Sequence, residues 1–249
     1  MTNSQKKHES VTISVVSHQQ QSLILPLLEQ LERLCGSLVD KVIVTVNVPE
    51  PPLISARSWT IPVQIVTNKV PKGFGANHNA AFTHCTSPWF LVLNPDVRLE
   101  ADVLGPLLAS AAEDDGLLAP RVREPGKTSP EPHRALLTPL EILQRRRAGY
   151  RPPARPAWIA GLFMLFRAKA FRQIEGFDPR FFMYGEDFDI CARVQLAGWH
   201  LNVREGMSVL HEAQRDSHRN SRHLYWHLSS LARVWLSHAF WRFRAIRGQ

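Results

Sequence analysis

Cysteine is scarce in this chain: Cys35, Cys85 and Cys191 are the only three among 249 residues, and no C-x-x-C pair occurs. That excludes a disulfide scaffold and a cysteine-rich zinc module, and it fits a reducing compartment, expected to be the cytosol. Long apolar runs are also missing. The longest, Trp158 to Phe166, falls far short of the roughly 18 residues that read as a spanning helix. Val11 to Val16 is too short for the apolar part of a signal peptide. The chain is therefore expected to be soluble or peripheral to a membrane rather than integral. No internal repeat occurs, and Gln19-Gln20-Gln21 is the only trace of low complexity. Acids are outnumbered: 30 Lys and Arg against 22 Asp and Glu leave a formal charge of +8. Such a balance predicts an anionic partner, whether nucleotide, nucleic acid or membrane surface. What remains is ordinary: 44% hydrophobic and 21% charged residues describe a globular chain, long enough for one large α/β domain or two small ones.

The apolar residues alternate between two periods. Val11–Val16 is β-branched and predicts a buried strand, whereas Leu23, Leu27, Leu28, Leu31 and Leu34 recur at helical spacing over 22–35. Further strands are predicted at 41–46, 63–66, 89–93 and 117–119, with helices at 75–85 and 99–112. This alternation predicts a mainly parallel, twisted α/β sheet flanked by helices. In such sheets ligands sit at the carboxyl ends of strands. Residues 121–156 break the pattern with seven prolines and the run Arg145-Arg146-Arg147. They predict a long loop carrying a short helix near 138–147, and loops of this length on rigid scaffolds often carry function. A strand at 158–166, a helix at 186–197, a short strand around Val209 and a basic helix over 221–246 complete the chain.

Three constellations stand at strand exits or helix starts. In Leu91-Val92-Leu93-Asn94-Pro95-Asp96 a strand delivers Asn94 and Asp96 to its carboxyl end, and Pro95 forces a turn. An acid there can hold a hard divalent cation that grips a diphosphate; a turn closed by an Asx hydrogen bond is the plainer alternative. In Lys72-Gly73-Phe74-Gly75-Ala76-Asn77-His78-Asn79 the glycines permit close backbone approach, and a helix start offers N–H groups to an anion. The spacing is neither a dinucleotide fingerprint nor a P-loop, and an ordinary glycine turn also accounts for it. In Gly185-Glu186-Asp187-Phe188-Asp189 three acids fill the first turn of a helix, where they complement its dipole. The alternative is a carboxylate held at a cleft mouth by Phe181, Phe182 and Tyr184, taking a proton from an attacking hydroxyl. Asp189 and Arg193, four residues apart, are spaced to pair on the helix.

Taken in order, these segments, with Gly161, Gly176-Phe177-Asp178 and Ala197-Gly198-Trp199, resemble family 2 glycosyltransferases, closest to their rhamnosyltransferase-like branch. The resemblance implies the GT-A fold: a domain over 11–220 with a nucleotide-sugar half at 11–120 and an acceptor half at 157–220. A disordered N-terminus at 1–10 would precede it and a basic amphipathic helix at 221–249 would follow. It implies an inverting, metal-dependent enzyme for cell-surface polysaccharide. The donor would be a nucleotide-sugar, dTDP-L-rhamnose on the branch resembled and a UDP-linked sugar otherwise. The acceptor would be a hydroxyl of a glycan or lipid-linked precursor at the cytoplasmic face of the membrane. Residue by residue, Asp96 falls on the acid that binds Mg²⁺ or Mn²⁺, Asn94 replaces a first acid on the nucleotide side, and His211 falls on a C-terminal metal ligand. Asp187 falls on the catalytic base, with Glu186 and Asp189 as supporting acids. Ser17, His18, Asn47, Asn68, Lys72, Gly73 and Gly75 are expected on the nucleotide-sugar side. Asn79 is placed there too, or as a brace for the glycine turn. Asn47 departs from the acidic residue usual near its position. Trp158, Gly161 and Tyr184 are expected on the acceptor side.

After residue 214 the chain carries Arg215, Arg219, Arg222, Arg233, Arg242, Arg244 and Arg247, no glutamate, and Trp235, Phe240, Trp241 and Phe243 among them. This composition predicts either a helix lying on an anionic bilayer or one packed on the domain with its arginines in water. Nucleic-acid binding is not expected, since no recognised motif occurs and acids cluster at the expected cleft. A catalytically silent binding module of the same fold is the remaining alternative; the joint presence of Asp96, Asp187 and His211 speaks against it.

Overall fold

The structure, a computed structural model, describes residues 9–212 and 221–247. Most of the expected disordered N-terminus, together with Arg215 and Arg219, lies outside the described residues. The chain runs β1 (Val11–Ser17), α1 (Gln21–Cys35), β2 (Val39–Val46), β3 (Val63–Thr67), α2 (Phe74–Phe82), β4 (Trp89–Leu93) and β5 (Val97–Arg98). Next come α3 (Leu104–Ala109), β6 (Asp115–Arg123), α4 (Pro139–Gln144), β7 (Phe163–Arg167), α5 (Ala168–Gln173), α6 (Glu186–Leu196) and β8 (His200–His211). Two helices follow, α7 (Ser221–Leu236) and α8 (His238–Arg247).

The strands form one sheet in the order β3-β2-β1-β4-β7-β6-β8-β5. From β3 to β4 all neighbours are parallel, as the strand–helix alternation predicts. Beyond β4 the sheet is mixed, with β6 and β8 again parallel, so the sheet as a whole is mainly parallel as expected. β7 is antiparallel to both β4 and β6, and β5 is antiparallel to β8. The long 124–162 connection carries only the short α4 and returns β7 antiparallel between β4 and β6. Side chains alternate across the sheet, so β4 sends Leu91 and Leu93 into a core with α1 and Phe90 and Val92 into a second core. The second core is aromatic, with Phe166, Phe171, Phe177 and Phe188 buried in it.

Several elements differ in extent from their sequence signals. β7 begins at Phe163 rather than 158, because Trp158 turns down to donate its indole N–H to the Ala135 carbonyl at 2.8 Å. α3 is only six residues, within the expected 99–112. β8 is twelve residues long; it follows β6 past an irregularity after Pro120. The C-terminal helix is two helices. Ser237 breaks it, its Oγ accepting from the Phe240 N–H at 3.1 Å and donating to the Val234 carbonyl at 2.8 Å. Both helices pack on the domain, with Val234, Phe240 and Phe243 buried and the Phe240 ring 5.9 Å from that of Phe188. Among the described residues no helix is long and apolar enough to cross a membrane.

Candidate active site

The carboxyl ends of β1, β2 and β4 open on a cleft of about 600 Å³ lined by His18, Asn47, Lys72, Asn77, Asn94 and Asp96, among others. Its floor on the β2 side is a network of asparagines. Asn47 Oδ1 accepts from the Lys72 N–H and from Asn68 Nδ2, both at 2.8 Å, while Asn47 Nδ2 donates to the Lys72 carbonyl at 3.0 Å. Asn68 Nδ2 also reaches Asn77 Oδ1 at 2.6 Å, and Asn77 Nδ2 donates to the Lys72 and Gly73 carbonyls. Asn47 and Asn68 therefore shape the turn at Lys72 with neutral, mutually satisfied amides. Asn77 is the hub that sequence reasoning missed. Its signal was its position four residues after Gly73, one helical turn above that carbonyl.

The glycines serve packing more than anion approach. A Cβ at Gly73 would lie 2.6 Å from the Phe182 carbonyl oxygen, and one at Gly75 would lie 2.5 Å from Phe177 Cβ. Both positions seat α2 against the 177–182 segment that leads to the acids. Asn79 completes that joint, donating to the Phe177 carbonyl at 2.7 Å and accepting from its N–H at 2.8 Å. It is the brace, one of the two readings its position allowed. Ser17 is buried, its Oγ accepting from the Gln20 N–H at 3.1 Å, so it holds the turn into α1. His18 is exposed and faces the cleft.

Asp96 and His211 meet because β5 pairs with β8, setting Val97 opposite His211. His211 Nε2 lies 3.2 Å from Asp96 Oδ2, and the Glu212 N–H donates to the Asp96 carbonyl at 2.9 Å. Burial alone would lower the His211 pKa, but the hydrogen bond and charge of Asp96, with Glu131 and Glu124 beyond, raise it. The other carboxylate oxygen, Asp96 Oδ1, is buried without a hydrogen-bond partner among the described residues. An orphaned hard oxygen beside an imidazole is a donor pair that suits Mg²⁺ or Mn²⁺. Arg98, also missed, clamps this corner. Its Nη1 donates to the Pro95 and Val97 carbonyls at 2.9 and 2.8 Å, and its Nε pairs with Glu212 at 2.9 Å. A second trio, Asp114, Asp115 and His200, sits close enough to share an ion. It lies at the opposite ends of β6 and β8, and the Asp115 carboxylate already accepts from Asn202, Arg204 and the Ala112 N–H.

The acids of α6 start after Gly185, which is left-handed at φ 81°. Asp187 accepts from the Phe188 N–H at 2.8 Å and from the Gly161 N–H, and feels the Arg134 charge. Burial nevertheless raises its pKa. Glu186 is buried, and its Oε2 has no hydrogen-bond partner among the described residues. Burial and the neighbouring Asp187 charge push it up to about 8. Burial thus raises both adjacent carboxyls, and at Asp187 the Phe188 and Gly161 N–H groups and the Arg134 charge oppose that rise. Asp189 pairs with Arg193 at 2.7 Å, and Arg193 also holds the Ile174 carbonyl, so this acid braces the helix. Tyr184, with φ 71°, stacks on His227 at 3.6 Å between centroids. Phe182 and Trp226, whose rings are 4.9 Å apart, wall the cleft, so α7 is part of it.

Asp187 does not line the cleft that contains Asp96; it stands one layer behind its wall. A Cβ at Gly161 would lie 3.1 Å from the ring of Phe74, a cleft residue, and 3.9 Å from Asp187 Cβ. The next residue ties the two sites together, the Asn94 N–H donating to the Leu162 carbonyl at 2.9 Å. On the Asp187 side of that wall, Arg134 lies 4.8 Å over the Trp158 ring, at the edge of a second pocket of about 480 Å³.

The family model described as Glycosyl transferase family 2 matches residues 12–174, well over half of the chain. The chain is a family 2 glycosyltransferase. A further model, Glycosyl transferase family group 2, matches 140–246 and so takes in α7 and most of α8. This glycosyltransferase is 33% identical over 151 residues to N-acetylglucosaminyl-diphospho-decaprenol L-rhamnosyltransferase of Mycobacterium tuberculosis, across 53% of this chain and 49% of that protein. It is 42% identical over 77 residues to Rhamnosyltransferase WbbL of Escherichia coli, across 30% of this chain and 29% of that one. The matched region thus spans half or less of each relative's length. Among solved structures it resembles the mannosyltransferase PcManGT from Pyrobaculum calidifontis in complex with GDP-Man and Mn²⁺. That likeness has a TM-score of 0.63 at 15% identity and covers 90% of this chain and 64% of that one. The shared architecture is the GT-A fold.

Proposed function

We propose that this glycosyltransferase moves L-rhamnose, with inversion, from dTDP-L-rhamnose to a hydroxyl of a lipid-linked glycan precursor. The work would be done at the cytoplasmic face of a membrane, in the assembly of cell-surface polysaccharide. Both curated relatives are named as rhamnosyltransferases, which supports the sugar. One observation supports the chemistry: the Asn94 N–H bond to the Leu162 carbonyl holds the Asp96 turn beside Gly161, whose N–H reaches Asp187. The donor half, 11–120, supplies the cleft at the ends of β1, β2 and β4. The acceptor half, 157–220, supplies Asp187 and Trp158 and is completed by α7.

In this reading the donor's diphosphate lies toward Asp96 and its sugar toward Gly161. Asp187 accepts the proton of the acceptor hydroxyl as that oxygen bonds to the anomeric carbon. The bond from that carbon to the diphosphate oxygen breaks, and the electron pair leaves with the diphosphate. A bound Mg²⁺ or Mn²⁺ supplies charge neutralisation of the leaving diphosphate, and Asp96 and His211 are the residues that would hold it. Asn94 faces the same cleft as a neutral donor of hydrogen bonds. Burial and the Asp187 charge raise the Glu186 pKa, which disfavours a second negative charge beside the base.

A panel of dTDP-, UDP- and GDP-linked sugars, read by thermal shift with Mn²⁺ and then by transfer to a polyprenyl-diphosphate-linked N-acetylglucosamine, tests this. Stabilisation by dTDP-L-rhamnose and formation of an inverted rhamnoside are expected. Stabilisation only by a UDP- or GDP-sugar would overturn the donor, and stabilisation by none would leave a silent module of the same fold.

A further inference from the structure

Two stretches of the chain contain no acidic residue, 142–174 and 221–247. The fold brings them together. Trp235 donates its indole N–H to the Leu137 carbonyl, just before α4, at 2.9 Å, and Arg247 Nη2 donates to the Pro156 carbonyl at 3.0 Å. Exposed apolar side chains concentrate on the helices of this region. Of the eleven large hydrophobic side chains exposed among the described residues, seven lie on α4, α7 and α8. Leu140 and Leu143 are 61% and 60% exposed, and Leu236 is 85% exposed.

On α7 the exposure is periodic. Tyr225, Leu228, Ala232 and Leu236 follow at steps of three, four and four, so they form one stripe, and all four are exposed. Ser230 and Val234, on the other side of the helix, are buried. α8 repeats the division: Phe240 and Phe243 face inward, while Trp241 and Arg242 face out and the Arg244 guanidinium lies 5.2 Å over the Trp241 ring. Arg145, Arg146 and Arg147, at the end of α4, are exposed and make no ion pair among the described residues. Helices whose inner face already packs on the domain have no folding need for a second apolar face. Leucine and tryptophan interleaved with arginine, without any acid, match the chemistry of an anionic lipid surface.

We propose that α4, α7 and α8 form one face that docks on an anionic leaflet. The inference deepens the lipid-linked acceptor of the proposed function. Ile142, Arg145 and Arg146 of the α4 region also line the pocket beside Arg134 and Trp158, so docking turns that pocket toward the bilayer.

The test is co-sedimentation of the full chain with vesicles of phosphatidylcholine alone and of phosphatidylcholine mixed with phosphatidylglycerol. Neither donor nor acceptor is needed, so its outcome is separate from that of the transfer assay. Binding to the mixed vesicles, little binding to the neutral ones and weakening by added salt are expected. Arg242→Gln and Arg244→Gln should each lower partitioning about fivefold. Leu236→Ser with Trp241→Ser, and separately Leu140→Ser with Leu143→Ser, should lower it further, with unchanged circular dichroism. Equal binding to both vesicle types, no binding to either, or binding that survives every variant would overturn the proposal. So would self-association in solution that Leu236→Ser with Trp241→Ser abolishes, which would assign the face to a second copy of the chain.

Discussion

Asp187→Asn is expected to lower kcat by about 10²–10⁴-fold, the usual contribution of a positioned general base, while calorimetric donor affinity in Mn²⁺ stays unchanged. The two effects separate because Asp187 stands behind Gly161 and Phe74 rather than in the donor cleft. The amide keeps an oxygen for the Gly161 and Phe188 N–H groups, so the local backbone should hold. What disappears is the charge that accepts the proton. Glu186 is a poor substitute, since burial pushes its pKa up to about 8. The pH profile gives a second reading. Burial raises the Asp187 pKa, and only the ionised form accepts a proton. Wild-type kcat should therefore climb with pH through a value above the ordinary carboxylate range and then level off. The variant should lose that rise. Turnover close to wild type, or an unaltered profile, would remove Asp187 from the role of base.

Asp96→Ala should weaken donor binding in Mn²⁺ by at least about 10–100-fold, a loss that outer-shell changes alone can cause at metal sites. The variant removes the orphaned Oδ1 and the His211 partner together. Its affinity should match that of the wild-type chain with the divalent ion chelated. Asp96→Asn, which keeps the volume but not the charge, should fall nearly as far. The fold should survive, because Arg98 holds the Asn94–Val97 turn through backbone carbonyls rather than through the Asp96 side chain. Unchanged calorimetric affinity would place the diphosphate elsewhere.

Much of this arrangement was legible before any coordinates. β1, β2 and β4 are runs of β-branched and large apolar residues whose exits carry His18, Asn47 and Asn94, and the structure opens its cleft at those exits. Pairings that depend on distant chain were not legible. Nothing near His211 announces that β8 extends back to His200 or that Val97 will lie opposite it; that register is set by β6. The glycines of the Lys72 turn read as space for an anion, yet their neighbours are Phe177 and Phe182, about a hundred residues away. Asp189 and Arg193 read correctly as an i,i+4 pair, a contact set by helix geometry alone. The C-terminal arginines and aromatics allowed a packed helix or a membrane helix. The structure packs one face of each helix and leaves the other exposed.

Donor diphosphate and base should meet at one bond beside Gly161, the diphosphate held at Asp96 and the proton taken by Asp187. A crystal of the chain with Mn²⁺ and a nucleoside diphosphate, measured at the manganese edge, tests it most directly. The anomalous peak should fall beside Asp96 Oδ1 and His211 Nε2, with the diphosphate touching it and Gly161 between that diphosphate and Asp187. A peak at Asp114, Asp115 and His200, or a nucleotide bound away from the exits of β1, β2 and β4, would contradict it.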